Sequence, residues 1–231
     1  MLTMPSSKRQ ANMVLAILLC NWLLLVAATA AQASALGQPL RIVVFGDSLV
    51  AGFQLKASDA FPAQLERALK ARGHAVEVIN AGVSGDTTAA GLERLRWSMP
   101  EKVDAVILEF GANDALRGLD PNRAKSNLDK MITAIKGAGA DVLLAGMLAP
   151  PNMGPAYGQA FNGIYQELAT KHGLILYPFF LDGIALDQRF NLSDGLHPNS
   201  KGVAEITRNI LPTVEQLLER VRTRQAAVTK G

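Results

Sequence analysis

The sequence has a single cysteine, Cys20, and it lies inside an apolar N-terminal stretch. Everything after that stretch is free of thiols. This excludes a disulfide framework, thiolate chemistry and a Cys-ligated metal from the rest of the chain. Histidine is scarce, with three in 231 residues, so an imidazole base has to be His74, His172 or His197. Excess charge is small as well. The formal net charge is +3, and Lys8 and Arg9 are the only charged residues among the first 35. Setting these two aside from the 23 Lys and Arg leaves 21, against 20 Asp and Glu. No basic stripe with interleaved aromatics is present, so the high pI does not point to nucleic acid. The basic residues of the C-terminal segment alternate with acids and polar residues, as on a solvated helix face. No internal repeat is visible, and no unbroken apolar run reaches the ~20 residues that a membrane-spanning helix needs.

What is present begins with the N-terminus. Lys8 and Arg9 precede an apolar run from Met13 to Val26, broken only by Asn21, and the small residues of "AATAAQASA" follow. A positive region, an apolar region and Ala-x-Ala sites read as a secretory signal peptide, residues 1–35, cut after Ala30, Ala33 or Ala35. Cys20 follows Leu19, whereas a lipid-modified cysteine would follow a small residue. The expected product is exported to the periplasm or the medium and keeps no stable membrane anchor.

The remainder alternates between β-type and helical runs. Ile42–Phe45, Val76–Asn80, Ala105–Phe110, Val142–Met147 and Leu174–Tyr177 read as strands. The first, third and fourth are almost continuously apolar, as parallel strands buried on both faces are. Between them, Phe61, Leu65, Ala68 and Leu69 share one helix face ending at Gly73. Leu128, Met131, Ile132 and Ile135 share another, ending at Gly137 or Gly139, and a third helix ends at Gly173. A last helix runs from about Lys201 to Arg222, with Pro212 expected to kink or restart it and a polar tail from 224 to 231. Strand–helix alternation implies one three-layer α/β domain over residues 36–223, with a parallel sheet and right-handed crossovers.

In such a sheet ligands sit beyond the carboxyl ends of the strands. The loops there are unusually rich in chemistry: "GDSL" after the first strand, "AGVSGDTT" after the second, "GANDALRG" after the third, "LAPPNMGP" after the fourth and "SDGLHPNS" after the fifth. Ser48 reads either as a turn residue or as a nucleophile whose own N–H faces a developing oxyanion. His74 and His172 each touch a glycine at a helix end, where a histidine meets the helix dipole or solvent. His197 differs, because Asp194 lies three residues before it and a turn of that length brings the carboxylate to Nδ1. Nε2 is then left for Ser48. The competing reading is a capped turn before the last helix. Gly85 can offer a backbone N–H close to substrate, and Asn113 a side-chain NH2, unless they are ordinary turn residues.

Together the blocks "FGDSL", "VSGDT", "GAND" and "DGLHP", in that order, resemble the SGNH (GDSL-type) hydrolase superfamily over roughly Arg41–Leu218. Within it the chain is most similar to the exported bacterial thioesterase I, lysophospholipase or arylesterase group, through "SGDTT", "GANDALRG" and "DGLHPN". The resemblance implies a flavodoxin-like sheet of five parallel strands in the order 2-1-3-4-5. It implies Ser48 as nucleophile, His197 as base and acid and Asp194 as orienter, with an oxyanion hole from Ser48, Gly85 and Asn113. No metal or cofactor is called for. The Gly-x-Ser-x-Gly elbow of α/β-hydrolases is absent, since position 50 is Val. Asp47 reads as a structural residue that shapes the turn, being too close to Ser48 to reach the far side of the histidine.

Leu116, Leu119, Pro150, Pro151 and Met153 are expected to wall an apolar groove, or else to be packed loop residues. The substrates expected are small acyl or aryl esters, with acyl thioesters and lysophospholipids beside them, and the state a monomer or weak dimer. Two other readings stand. One is a carbohydrate acetylesterase on the same scaffold. The other is a non-catalytic flavodoxin-like binding protein, disfavoured because Leu49, Val50, Ala51, Gly52 and Phe53 follow Ser48 in place of a Ser/Thr-rich phosphate loop. Asp194 and His197 without a third ligand do not make a metal site.

Overall fold

The computed structural model of the protein describes residues 38–229. The expected signal peptide, its cleavage positions Ala30, Ala33 and Ala35, and Cys20 lie outside the described residues. The continuous apolar runs become a parallel sheet because their side chains bury on both faces. The strands are β1 (Leu40–Gly46), β2 (Val76–Gly82), β3 (Ala105–Glu109), β4 (Asp141–Ala145) and β5 (Ile175–Tyr177). Their order is β2-β1-β3-β4-β5, and all four pairings are parallel. β1 is buried except at Arg41, and β3 is buried throughout. Glu109, the last residue of β3, is the one ionisable group in that fully buried strand.

The helices follow the strands: α1 (Ser48–Ala51), α2 (Phe61–Ala71), α3 (Thr88–Ser98), α4 (Ala112–Leu116), α5 (Pro121–Gly137), α6 (Pro155–His172) and α7 (Ser200–Thr229). Helix α2 packs on α7, while α3 packs on α5 and α5 on α6, so the sheet is covered from both sides. The faces expected to be apolar are the ones that bury: Phe61, Leu65 and Leu69 in α2, and Leu128, Met131, Ile132 and Ile135 in α5. Each such side chain contributes about 1.5–3 kcal/mol by leaving water.

Two features depart from the expectation. Helix α3 was not foreseen, because its buried face is Thr88, Gly91 and Leu95 instead of an apolar stripe. Gly91 is there because a Cβ would lie 2.6 Å from the Phe110 ring. Helix α7 does not restart at Pro212, and the expected polar tail from 224 continues it as helix to Thr229. Leu211, Val214, Leu217, Leu218 and Val221 are buried beyond the proline, and this packing outweighs one lost backbone hydrogen bond. Arg224 Nε then donates to Asp141 Oδ2 at 2.9 Å, tying that last stretch to β4. Among the described residues, no helix is long and apolar enough to cross a membrane.

Candidate active site

Because every strand points the same way, the five loops after them open at one edge of the sheet. The first is the tightest. A Cβ on Gly46 would sit 2.4 Å from Val50 Cγ2 and 2.6 Å from the Glu109 carbonyl oxygen, so only glycine lets β1 turn this close to β3. Asp47 then caps α1, its Oδ1 accepting from the Leu49 N–H at 3.0 Å. Ser48 is the first residue of that helix and is almost buried.

The last loop brings the histidine. Leu192 N–H donates to the His197 carbonyl at 2.7 Å, and Gly195 N–H to the Leu192 carbonyl at 2.9 Å, closing a tight turn. Asp194 Oδ1 accepts the backbone N–H groups of Leu196 at 2.9 Å and His197 at 3.0 Å. Its Oδ2 lies 2.7 Å from His197 Nδ1. The His197 backbone N–H, followed by that of Leu196 and by the imidazole, holds the Asp194 carboxyl down at about 2. It is thus a fixed acceptor that keeps the Nδ1 proton in place. On the other side of the ring, Nε2 lies 2.9 Å from Ser48 Oγ. Asp194, His197 and Ser48 therefore form one hydrogen-bonded chain. Asn199 anchors the loop to α7, its Oδ1 accepting from Lys201 and Gly202 N–H at 2.9 and 3.0 Å.

Asn113 lies in α4, and its Nδ2 donates to Asp47 Oδ2 at 3.1 Å. One N–H of that amide is thereby spoken for, and the other remains to donate elsewhere. Gly85 has φ +86°, and the space where a Cβ would stand is open, with only the Arg117 guanidinium at 3.9 Å. Arg117 Nη2 donates to the Gly85 carbonyl at 2.9 Å, linking the loops after β2 and β3. Asp47 is pushed up to about 6 by burial, opposed by its bonds to Leu49 and Asn113.

Several residues at the site were not foreseen. Arg94 of α3 donates through Nη2 to the Gly46 carbonyl and through Nη1 to the Ala81 carbonyl, both at 2.9 Å. Its Nε meets Asp86 Oδ2 at 2.5 Å, and its guanidinium lies 4.4 Å over the Phe45 ring. It thus clamps the ends of β1 and β2. Asp114 accepts from Thr88 N–H at 2.8 Å and Thr88 Oγ1 at 2.6 Å, joining "SGDTT" to "GAND". The Phe53 ring lies 4.4 Å from the His197 ring, restraining it from the side. Only the unread helix α3 would have exposed Arg94, and no sequence signal marks Phe53.

Of the expected groove residues, Leu116 and Leu119 are exposed, and Pro150 and Met153 are half-buried. Met153 leans on Gly118, and Tyr157 OH donates to the Leu119 carbonyl at 2.8 Å, so the loops after β3 and β4 touch. Val83, Leu148 and Leu196, each from a different strand-end loop, are exposed as well. The two other histidines are elsewhere. His74 Nε2 lies 3.1 Å from Glu215 Oε1, and His172 Nε2 lies 2.5 Å from Asp129 Oδ1. Among the described residues no group of three His, Cys, Asp or Glu stands close enough to hold a metal ion.

Residues 44–205 match the GDSL-like lipase/acylhydrolase family. The chain belongs to this family. It is 39% identical over 178 residues to esterase TesA of Pseudomonas aeruginosa, a match covering 77% of this chain and 89% of the relative. It is 43% identical over 159 residues to an arylesterase of Vibrio mimicus, covering 68% and 80%. Among solved structures it is similar to AlinE4, an SGNH-hydrolase family esterase, with TM-score 0.66 and 43% identity over 79% of this chain and 98% of that one. The GDSL-type chain is accordingly an ester hydrolase with the five-stranded SGNH sheet.

Proposed function

We propose that Ser48 is the nucleophile, His197 the general base and acid, and Asp194 the residue that orients the imidazole. The observation that carries this is the unbroken chain from Asp194 Oδ2 through the imidazole to Ser48 Oγ. Ser48 Oγ attacks the carbonyl carbon of the ester as its proton passes to Nε2. The N–H groups of Ser48 and Gly85 and the free amide N–H of Asn113 receive the oxyanion. Collapse expels the alcohol, which takes the proton from His197 and leaves an acyl group on Ser48. Water, deprotonated by the same nitrogen, then attacks the acyl carbon, and the bond to Ser48 Oγ breaks as that oxygen takes the proton back from His197, releasing the acid.

The substrates are carboxylic esters with acyl or aryl groups, with acyl thioesters and lysophospholipids of the same chemistry beside them. Leu116 and Leu119, exposed immediately after Asn113, offer an apolar surface to the group on either side of the reacting carbonyl. Pro150 and Met153 extend that surface on the loop after β4. The charged and apolar pattern of residues 8–26 supports an exported enzyme, cut before the first strand.

The test is hydrolysis of p-nitrophenyl esters of graded chain length by the wild type and by Ser48→Ala. Loss of the nucleophile is expected to lower kcat on the order of 10³-fold or more. Equal rates in both proteins would overturn the assignment. A wild type inactive on every acyl length but active on acetylated sugars would make it a carbohydrate acetylesterase. Inactivity on both classes would favour a binding protein.

A further inference from the structure

Directly beneath the Ser48 turn lies a second acid that the chemistry above does not use. Glu109 ends β3 and is fully buried. Its Oε2 accepts the Asp47 backbone N–H at 3.4 Å, and its Oε1 has no hydrogen-bond partner. A Cβ on Gly46 would come within 2.7 Å of Oε2, so the turn rests against this carboxyl. The groups that bear on it are Asp47, an acid on the other side of the same contact, and Tyr165, whose OH donates to the Phe110 carbonyl at 2.9 Å. Arg94, the cation of this region, is committed to the Gly46 and Ala81 carbonyls, to Ser98 and to Asp86.

A buried carboxylate with neither a cation nor enough hydrogen-bond donors is far too costly to stay ionised, and two adjacent buried carboxyls do not both ionise. Asp47 has the better claim to the negative charge. It accepts from Leu49 N–H and from Asn113 Nδ2, whereas Glu109 receives one long hydrogen bond. We infer that Glu109 is a neutral carboxylic acid that donates its proton to the Asp47 carboxylate and thereby positions Asn113 and the start of α1 for the reaction. Glu109 is a positioning residue that acts through Asp47 and touches no substrate. The pair then carries one negative charge where two would repel. A hydrogen bond from the Glu109 acid proton fixes the Asp47 carboxyl plane, and that plane fixes the Asn113 amide. Burial raises Glu109 well above the usual carboxyl range, and the neighbouring Asp47 charge adds to it. This inference rests on the Ser48 and Asn113 roles proposed above.

The test uses the full protein with uniformly 13C-labelled glutamate. At neutral pH, isotope-edited infrared spectroscopy is expected to show the C=O stretch of one protonated glutamic acid, and Glu109→Gln is expected to remove it. Glu109→Gln keeps a neutral group that both donates and accepts, and should hold kcat within about threefold of wild type. Glu109→Ala, which leaves Asp47 without that donor, should lower kcat about 10- to 100-fold with KM nearly unchanged, because misplaced groups cost the chemical step. A spectrum without a protonated glutamic acid, a Glu109→Gln as inactive as Glu109→Ala, or a Glu109→Ala as active as wild type would each overturn the inference. If Glu109→Ala does not fold, the spectrum and the glutamine variant decide alone. If Ser48→Ala keeps full activity, the serine mechanism falls, while the spectrum still answers the question about Glu109.

Discussion

The two edges of the sheet carry the same kind of pair and use it differently. At the edge where the strands begin, His74 meets Glu215 and His172 meets Asp129. At the edge where they end, His197 meets Asp194. All three are histidine–carboxylate pairs within hydrogen-bond distance. Only His197 has its second nitrogen on a serine. The remote nitrogen of His74 faces the Arg222 guanidinium at 3.2 Å, which cannot give up a proton. The beginning edge even has a largely apolar cavity, about 230 Å³ between the ends of α3 and α5, lined by Leu95, Met99, Val103, Val106 and Ile135 among others. Concavity and an acid–imidazole pair therefore do not make a site. What distinguishes the other edge is a serine pinned at a glycine turn, with its hydroxyl 2.9 Å from the imidazole.

The comparison is broken most severely at Asp194. Asp194→Asn should lower kcat on the order of 10³- to 10⁴-fold, because the amide favours the wrong imidazole tautomer. Asp129→Asn should leave kcat within about twofold, since its histidine faces no reacting group. Initial rates on a short-chain p-nitrophenyl ester check both. Similar losses in the two variants would mean that the edges are not functionally distinct.

A smaller effect separates the edges by pH. Asp47 has its folded value raised by burial from 3.8 to about 6. A group raised on folding adds stability that is fully present below its unfolded value and is lost as pH rises through the folded one. Glu215 is lowered, chiefly by His74, and Asp129 chiefly by Lys171. Their contributions are present above the unfolded values and are lost as pH falls. Between about pH 4 and 6.5, therefore, wild type should lose stability relative to Asp47→Asn, by about 3 kcal/mol at most. Melting temperatures of the two proteins across that range test it, and a constant difference would show that Asp47 does not titrate there.

The smallest effect concerns the structural histidines. His74→Gln and His172→Gln each break a partly exposed pair worth about 0–1 kcal/mol. They should shift Tm by a few degrees at most and leave kcat alone. A kcat loss beyond about tenfold in either would connect the far edge to the chemistry.

Much of this was legible because it is local. The strands reveal themselves by unbroken apolar runs, and α2 and α5 by their spacing of leucines and isoleucines. Asp194 and His197 are three residues apart, so their contact follows from a turn of fixed length. The four blocks of the family could be read on one line. Helix α3 escaped because a glycine and a threonine occupy its buried face, where the Phe110 ring and Asp114 leave no room for larger groups. With it escaped Arg94, whose partners lie on two different strand ends. At Pro212 the expected restart did not occur, since the core that α7 fills carries the helix past the proline.

The sequence by itself determined the strands, the α2 and α5 faces and the family blocks that hold the candidate residues, because side-chain type, turn length and hydrophobic period are properties of short stretches. Only the tertiary structure supplied the contact itself, placing His197 Nε2 on Ser48 Oγ while His74 and His172 meet Glu215 and Asp129. Ser48 and His197 are 149 positions apart, and parallel strands bring them together by placing every strand end on one side. It also decided the protonation of the acids beneath the site. The charge of Asp47 and Glu109 depends on the dielectric and the donors around them, and those are supplied by elements far away in the chain.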